Sequence, residues 1–145
     1  NKISKKDMFC EIEILINQKK IKTKAMIDTG NMLKEPISGK PVIVVEHTLL
    51  YDILPKEILN NLEKILGGDI ESLPDEIKNK YISKLKFIPF SSLGKQNGML
   101  IGIKPTYVEV MQEENTKKED VIIGIYNKSF TKNGEYRALI GIDLI

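Results

Sequence analysis

A chain of 145 residues with 41% apolar and 29% charged residues is one ordinary globular domain, able to bury its own core and not a disordered tail. Lys and Arg total 22 against 20 Asp and Glu, with the signs interspersed, so no nucleic-acid footprint stands out. The single cysteine excludes an internal disulfide, and no apolar run is long enough to span a bilayer or pattern a secretory signal.

Met8 to Ile16 alternates. Cys10, Ile12, Ile14 and Ile16 fall on one side and Glu11 and Glu13 on the other, which predicts a half-buried strand. Cys10, on the apolar side, reads as a small buried hydrophobe rather than a reactive thiol. Asn17-Gln18-Lys19-Lys20 reads as a turn, and Ile21 to Ile27 as a returning strand that delivers Asp28. There the apolar run ends abruptly in Asp28-Thr29-Gly30-Asn31. This spacing puts a carboxylate on a tight turn at a strand end. Gly30 lets the backbone turn and bring its N–H to the acid, and the Thr29 hydroxyl can brace the loop.

Pro36 and Ser38-Gly39-Lys40-Pro41 mark a turn before Val42-Ile43-Val44-Val45, a central strand. His47 is the only histidine and reads as a strand-end surface residue, with no second soft ligand to make a metal site. From Pro55 to Leu66 the period becomes helical. Ile58, Leu59, Leu62, Ile65 and Leu66 share a face, with Gly67-Gly68 beyond the end. A shorter helix is expected from Pro74 to about Tyr81, capped by Ser72. Neither repeats with strands as a βαβ unit would, so both decorate a β domain.

Two apolar segments flank Gly94-Lys95-Gln96-Asn97-Gly98, whose Asn97-Gly98 step signals a hairpin; this hairpin is either a flap that closes over substrate or a plain surface turn. Thr106 to Met111 alternates as a strand, and Lys117-Lys118-Glu119-Asp120 reads as a solvated loop. Acid proteases pass a strand ending in two apolar residues and a glycine beside the acid loop. Ile122-Ile123-Gly124 and Ala138-Leu139-Ile140-Gly141 compete for that role. The earlier is preferred, because chain remains after it to build a dimer-closing strand. Asn133-Gly134 marks a final hairpin before a last apolar strand from Arg137 to Ile145.

The chemistry suggested is aspartic proteolysis, with one acid loop per chain and the second supplied by another molecule. A turn in which Asp28 merely caps its own backbone is the bland alternative. Two further readings are a silent module that holds a partner protein and, more remotely, an enzyme with Cys10 as nucleophile.

The stretch Asp28 to Leu33, with Glu35-Pro36, Gly39 to Val42 and Glu46, resembles the sporulation sigma-E factor-processing peptidases, the stage II sporulation protein GA family. Ile88 to Gly94, followed by Gly98-Met99-Leu100 and Lys104-Pro105, resembles that family's second signature. Asn31 fits the resemblance, since retroviral-type proteases usually carry Ala there and pepsin-like ones Ser or Thr. The resemblance implies a mainly β, retropepsin-like closed barrel over residues 1–145, one acid-protease lobe per chain with one or two inserted helices. It implies Asp28 as the catalytic aspartate and no metal or other cofactor. The active unit would be a homodimer whose substrate is a sigma factor precursor, switched on by a forespore-derived signal protein. The full-length protein would sit on the cytoplasmic, mother-cell face of the sporulation septum through an N-terminal membrane domain. This chain, opening on Asn1, would be the excised soluble protease half.

Overall fold

The computed structural model describes residues 8–30, 33–91 and 97–145. Asn31 and three of the expected flap residues, Gly94, Lys95 and Gln96, lie outside them. The architecture is mainly β. Strands β1 (Phe9–Ile16), β2 (Lys19–Asp28), β3 (Val42–Glu46), β4 (Lys86–Ser91), β5 (Asn97–Ile103), β6 (Tyr107–Met111), β7 (Thr116–Lys118), β8 (Ile122–Tyr126) and β9 (Ala138–Gly141) form one mixed sheet. Their spatial order is β4-β5-β8-β3-β9-β2-β1-β6-β7.

The ladder has two free edges, β4 and β7, so hydrogen bonding among the described residues does not close the expected barrel. The sheet is nevertheless strongly curled. β5 and β6 have five strands between them in the sheet, yet Lys104 to Thr106 alone connects them. Six flat strand spacings would need about 29 Å, whereas four extended residue steps reach only about 14 Å. Thr106 N–H donates to the Leu15 carbonyl at the end of β1, at 2.9 Å. Curling buries one sheet face around Ile12, Ile14, Ile43, Val45, Ile101, Ile123 and Ile140.

The connections depart from the sequence reading in instructive ways. The first turn is only Asn17-Gln18, with φ of 53° and 66°, the left-handed pair that a two-residue hairpin needs; Lys19 and Lys20 already pair with Ile16 and Leu15. The Pro55–Leu66 helix is two short ones, α1 (Lys56–Leu59) and α2 (Leu62–Leu66). Asn61 leaves helical geometry and its side-chain amide takes the Glu57 carbonyl, the local competition that asparagine offers a helix backbone. The expected apolar face survives the break, with Ile58, Leu59, Leu62 and Ile65 all buried. Gly68, at φ +83°, ends α2 while Asp69 N–H reaches back to the Lys64 carbonyl. Helix α3 (Asp75–Tyr81) starts after Pro74, which takes the cap position expected of Ser72.

Asn97 and Gly98 are not the hairpin turn but the first residues of β5, opposite Ser91 and Phe90. A Cβ on Gly98 would lie 2.4 Å from the Phe90 ring, so the glycine makes room for the aromatic instead of turning the chain. Asn133-Gly134 does not join a hairpin either, because β3 stands between β8 and β9. The edge strand β7, within and before the charged Lys117–Asp120 stretch, carries no apolar alternation to announce it.

Candidate active site around Asp28

β2 changes character along its length. Its outward residues Lys20, Lys22 and Lys24 are solvated, then Met26 and Asp28 follow on the same face by strand alternation, while Ala25 and Ile27 turn toward the main core. Asp28 is half-buried, and Thr29 and Gly30 are exposed. Its Oδ1 accepts the Gly30 backbone N–H at 2.9 Å, the contact the glycine turn was expected to allow.

The strand beside the acid is β9. It runs parallel to β2 with Ile27 opposite Ile140 and Asp28 opposite Gly141. The apolar-apolar-glycine partner is therefore Leu139-Ile140-Gly141. The preferred Ile122, Ile123 and Gly124 lie in β8, separated from β2 by β3 and β9. Gly124 answers a different steric need: a Cβ there would meet Val42 Cγ1 at 2.8 Å and Leu100 Cδ1 at 3.2 Å. The two strings read alike, and only a non-local parallel pairing, which leaves no local signal, separates them.

Consecutive strands β2 and β3 thus flank β9 and are not hydrogen-bonded to each other as strands. The arm between them folds on itself. Val42 N–H donates to the Leu33 carbonyl at 3.0 Å and Glu35 N–H to the Lys40 carbonyl at 2.8 Å. Glu35 is only 2% exposed. Its carboxylate accepts the Ser38 hydroxyl at 2.7 Å, Ile37 N–H at 2.8 Å and Ser38 N–H at 3.0 Å. The Ser38 hydroxyl first, then the Ile37 N–H, hold its carboxyl below the usual range against the opposing effect of burial. Lys34, on the same arm, meets Asp143 just beyond β9 at 3.3 Å. Both ends of the site are tied together by this exposed pair.

The face bearing Asp28 is apolar. Leu139 lies opposite Met26 in β2 and Val44 in β3, and joins a second cluster of Val42, Val44, Ile88, Leu100 and Ile122. Phe9 lies opposite Met26 and contacts Tyr136 at 5.9 Å; Tyr136 stacks on Phe130 at 5.9 Å and Phe130 on Tyr126 at 4.9 Å. Glu46, 2% exposed, holds both ends of the segment that carries Phe130 and Tyr136. It accepts Phe130 N–H at 2.7 Å and pairs with Arg137 at 3.8 Å. Met26 and Leu139 each stand one strand period before Asp28 or Gly141, the spacing that puts them on the acid's face.

The remaining candidates lie elsewhere. Cys10 is 7% exposed in the main core, where burial pushes its thiol up to about 11, so it is a packing residue. His47 is half-buried at the end of β3, with Nδ1 3.3 Å from the Tyr126 carbonyl. Among the described residues, no cluster of three or more His, Cys, Asp or Glu is placed to hold a metal ion, and no helix is long and apolar enough to cross a membrane.

Comparison with known proteins places the chain in a peptidase family. Residues 1–144 match the family model of the sporulation factor SpoIIGA peptidases. The chain belongs to that family. It is 28% identical over 142 residues to the sporulation sigma-E factor-processing peptidase of Priestia megaterium, covering 96% of this chain and 45% of the relative. With the sporulation sigma-E factor-processing peptidase of Bacillus subtilis it shares 30% identity over 121 residues, covering 81% and 38%. The chain thus spans less than half the length of these two relatives. No solved structure matches.

Proposed function

We propose that this domain is the aspartic endopeptidase unit of a protein that removes the pro-segment of a sporulation sigma factor, and that it works as a homodimer with one Asp28 from each subunit. The observation that carries the reading is the placement of Asp28. It is a half-buried carboxylate at a strand end, oriented by Gly30 N–H and flanked by Gly141, at the rim of an apolar face. Two supports stand beside it: family membership and relatives named for processing sigma-E factor.

In this reading the two Asp28 carboxyls meet across a two-fold axis. So close together they cannot both ionise, and the pair holds one proton. The ionised member takes a proton from a bridging water, whose oxygen attacks the scissile carbonyl; the protonated member donates to the carbonyl oxygen. Gly30 N–H steadies the negative charge, and the Thr29 hydroxyl braces the partner's loop. Met26 and Leu139 line the floor on which substrate side chains next to the scissile bond rest. The β4–β5 hairpin is proposed as the flap, pairing with an extended substrate by strand addition. The full-length protein is proposed to be membrane-held and to be activated by a signal protein from the forespore.

Asp28→Asn tests this. It keeps the size and the Gly30 contact but cannot complete the acid pair, so cleavage of the sigma factor precursor is expected to fall by roughly 10³-fold or more with the fold unchanged. A folded Asp28→Asn protein that still cleaves at the wild-type rate would overturn the reading. If the domain only held a partner, the precursor would bind to both forms and neither would cleave it.

A further inference from the structure

The end of the molecule remote from Asp28 carries a second feature. β2 opens at Lys19 and closes at Asp28, which places the two about 30 Å apart. At the Lys19 end, a cleft of about 470 Å³ is lined by Asn17, Tyr81, Lys84, Lys86, Lys104 and Thr106, with no carboxylate among its lining residues. An adjoining depression of about 280 Å³ shares Asn17 and Tyr81 and adds Lys19, Lys80 and a single acid, Asp52. The Asn17 amide donates to the Tyr81 hydroxyl at 2.6 Å and forms the ridge between the two hollows.

The charge is segregated. The whole chain balances 22 cations against 20 anions, yet five lysines and one aspartate line this end. Among the described residues, none of the five has a carboxylate within ion-pair distance; Lys20, next to Lys19, pairs with Glu13 at 3.9 Å. Lys104 donates to the Glu119 backbone carbonyl, Lys80 lies over the Tyr81 ring at 5.4 Å, and Lys86 feels the buried Glu35 carboxylate at longer range. Lysines supply mobile point charges and not the planar fork that suits a single phosphate, and a cleft of about 470 Å³ has room for more than one small anion. An extended peptide bearing several carboxylates matches both its size and its charge.

We infer that this cleft is a binding site for a carboxylate-rich peptide segment, an acidic stretch of the protein substrate that lies well away from the bond being cut. The substrate part of this inference rests on the peptidase reading; the anion site itself does not. Such a site adds affinity and encounter rate for the whole precursor without touching the chemistry.

The test uses Lys84→Glu/Lys104→Glu, with Lys84→Gln/Lys104→Gln as a milder pair should charge reversal disturb folding. A hexaglutamate peptide is expected to bind the wild type in a salt-sensitive way and about tenfold more weakly to the charge-reversed protein. With precursor as substrate, KM is expected to rise by a similar factor at unchanged kcat, while a short peptide spanning only the scissile bond is cleaved as before. Equal hexaglutamate binding by wild type and both variants would overturn the inference. So would selective binding of inorganic phosphate or phosphatidylglycerol vesicles, which would reassign the cleft to phosphate or lipid. Hexaglutamate binding does not depend on Asp28, so its failure is separable from a failure of the peptidase reading, which Asp28→Asn cleavage reports.

Discussion

Asp28 and Glu35 stand seven positions apart on the same arm of chain and are handled in opposite ways. Glu35 is sealed in its turn, where two backbone N–H groups and a hydroxyl fill its oxygens. Asp28 is half-open at the mouth of an apolar face, and among the described residues its carboxylate has one backbone donor. A carboxylate whose acceptor sites are filled can only hold structure. One left partly open beside an apolar surface is the kind that can exchange a proton with a bound water. On the proposed reading, this difference separates a brace from the reacting acid without reference to which of them is more buried.

The contrast can be broken at graded points. The largest effect belongs to Asp28→Asn, which is expected to remove cleavage and leave stability nearly untouched. Gly124→Ala is expected to do the reverse. Its new methyl would press on Val42 and Leu100, costing about 1–3 kcal/mol, while the folded fraction retains its kcat. A loss of kcat per folded molecule would mean that β8 supports the acid loop after all. Glu46→Ala leaves Phe130 N–H and Arg137 without their buried acceptor. Denaturant titration is expected to show a loss of about 1–3 kcal/mol, and cleavage a higher KM as the aromatic segment loosens. An unchanged midpoint and KM would show that this carboxylate is dispensable.

The smallest effect is the most diagnostic for Glu35. Its carboxyl titrates lower in the folded protein than in the unfolded chain, so the unfolded state binds the extra proton first as pH falls. Its stabilising contribution is therefore complete above the unfolded carboxyl range, near 4.5, and is lost as pH drops through the lower folded value. Wild type is expected to be more stable than Glu35→Gln near neutrality, with the gap narrowing below about pH 4.5. A gap that stayed constant down to the acid transition would refute this role.

Where the sequence speaks through local period, it was legible. The β1–β2 alternation, the buried run of β3, the helical face of Ile58 to Ile65 and the glycine turn after Asp28 are all present as read. What it concealed were partnerships set by distant chain. Leu139-Ile140-Gly141 and Ile122-Ile123-Gly124 have the same local chemistry, and which one lies beside Asp28 depends on a parallel pairing across more than a hundred residues. Gly98 illustrates the same limit. Asn97-Gly98 carries the signature of a turn, but the Phe90 ring across the strand pair accounts for the glycine. The roles of Glu35 and Glu46 were likewise hidden, because each also binds backbone N–H groups, and the Arg137 partner of Glu46 lies far along the chain.

The central claim, that two chains each lend one Asp28, is tested most directly by measuring precursor cleavage per subunit against domain concentration alongside sedimentation. The account predicts that specific activity rises with the dimer fraction and vanishes where only monomer sediments. Full, concentration-independent activity from the monomer would contradict it.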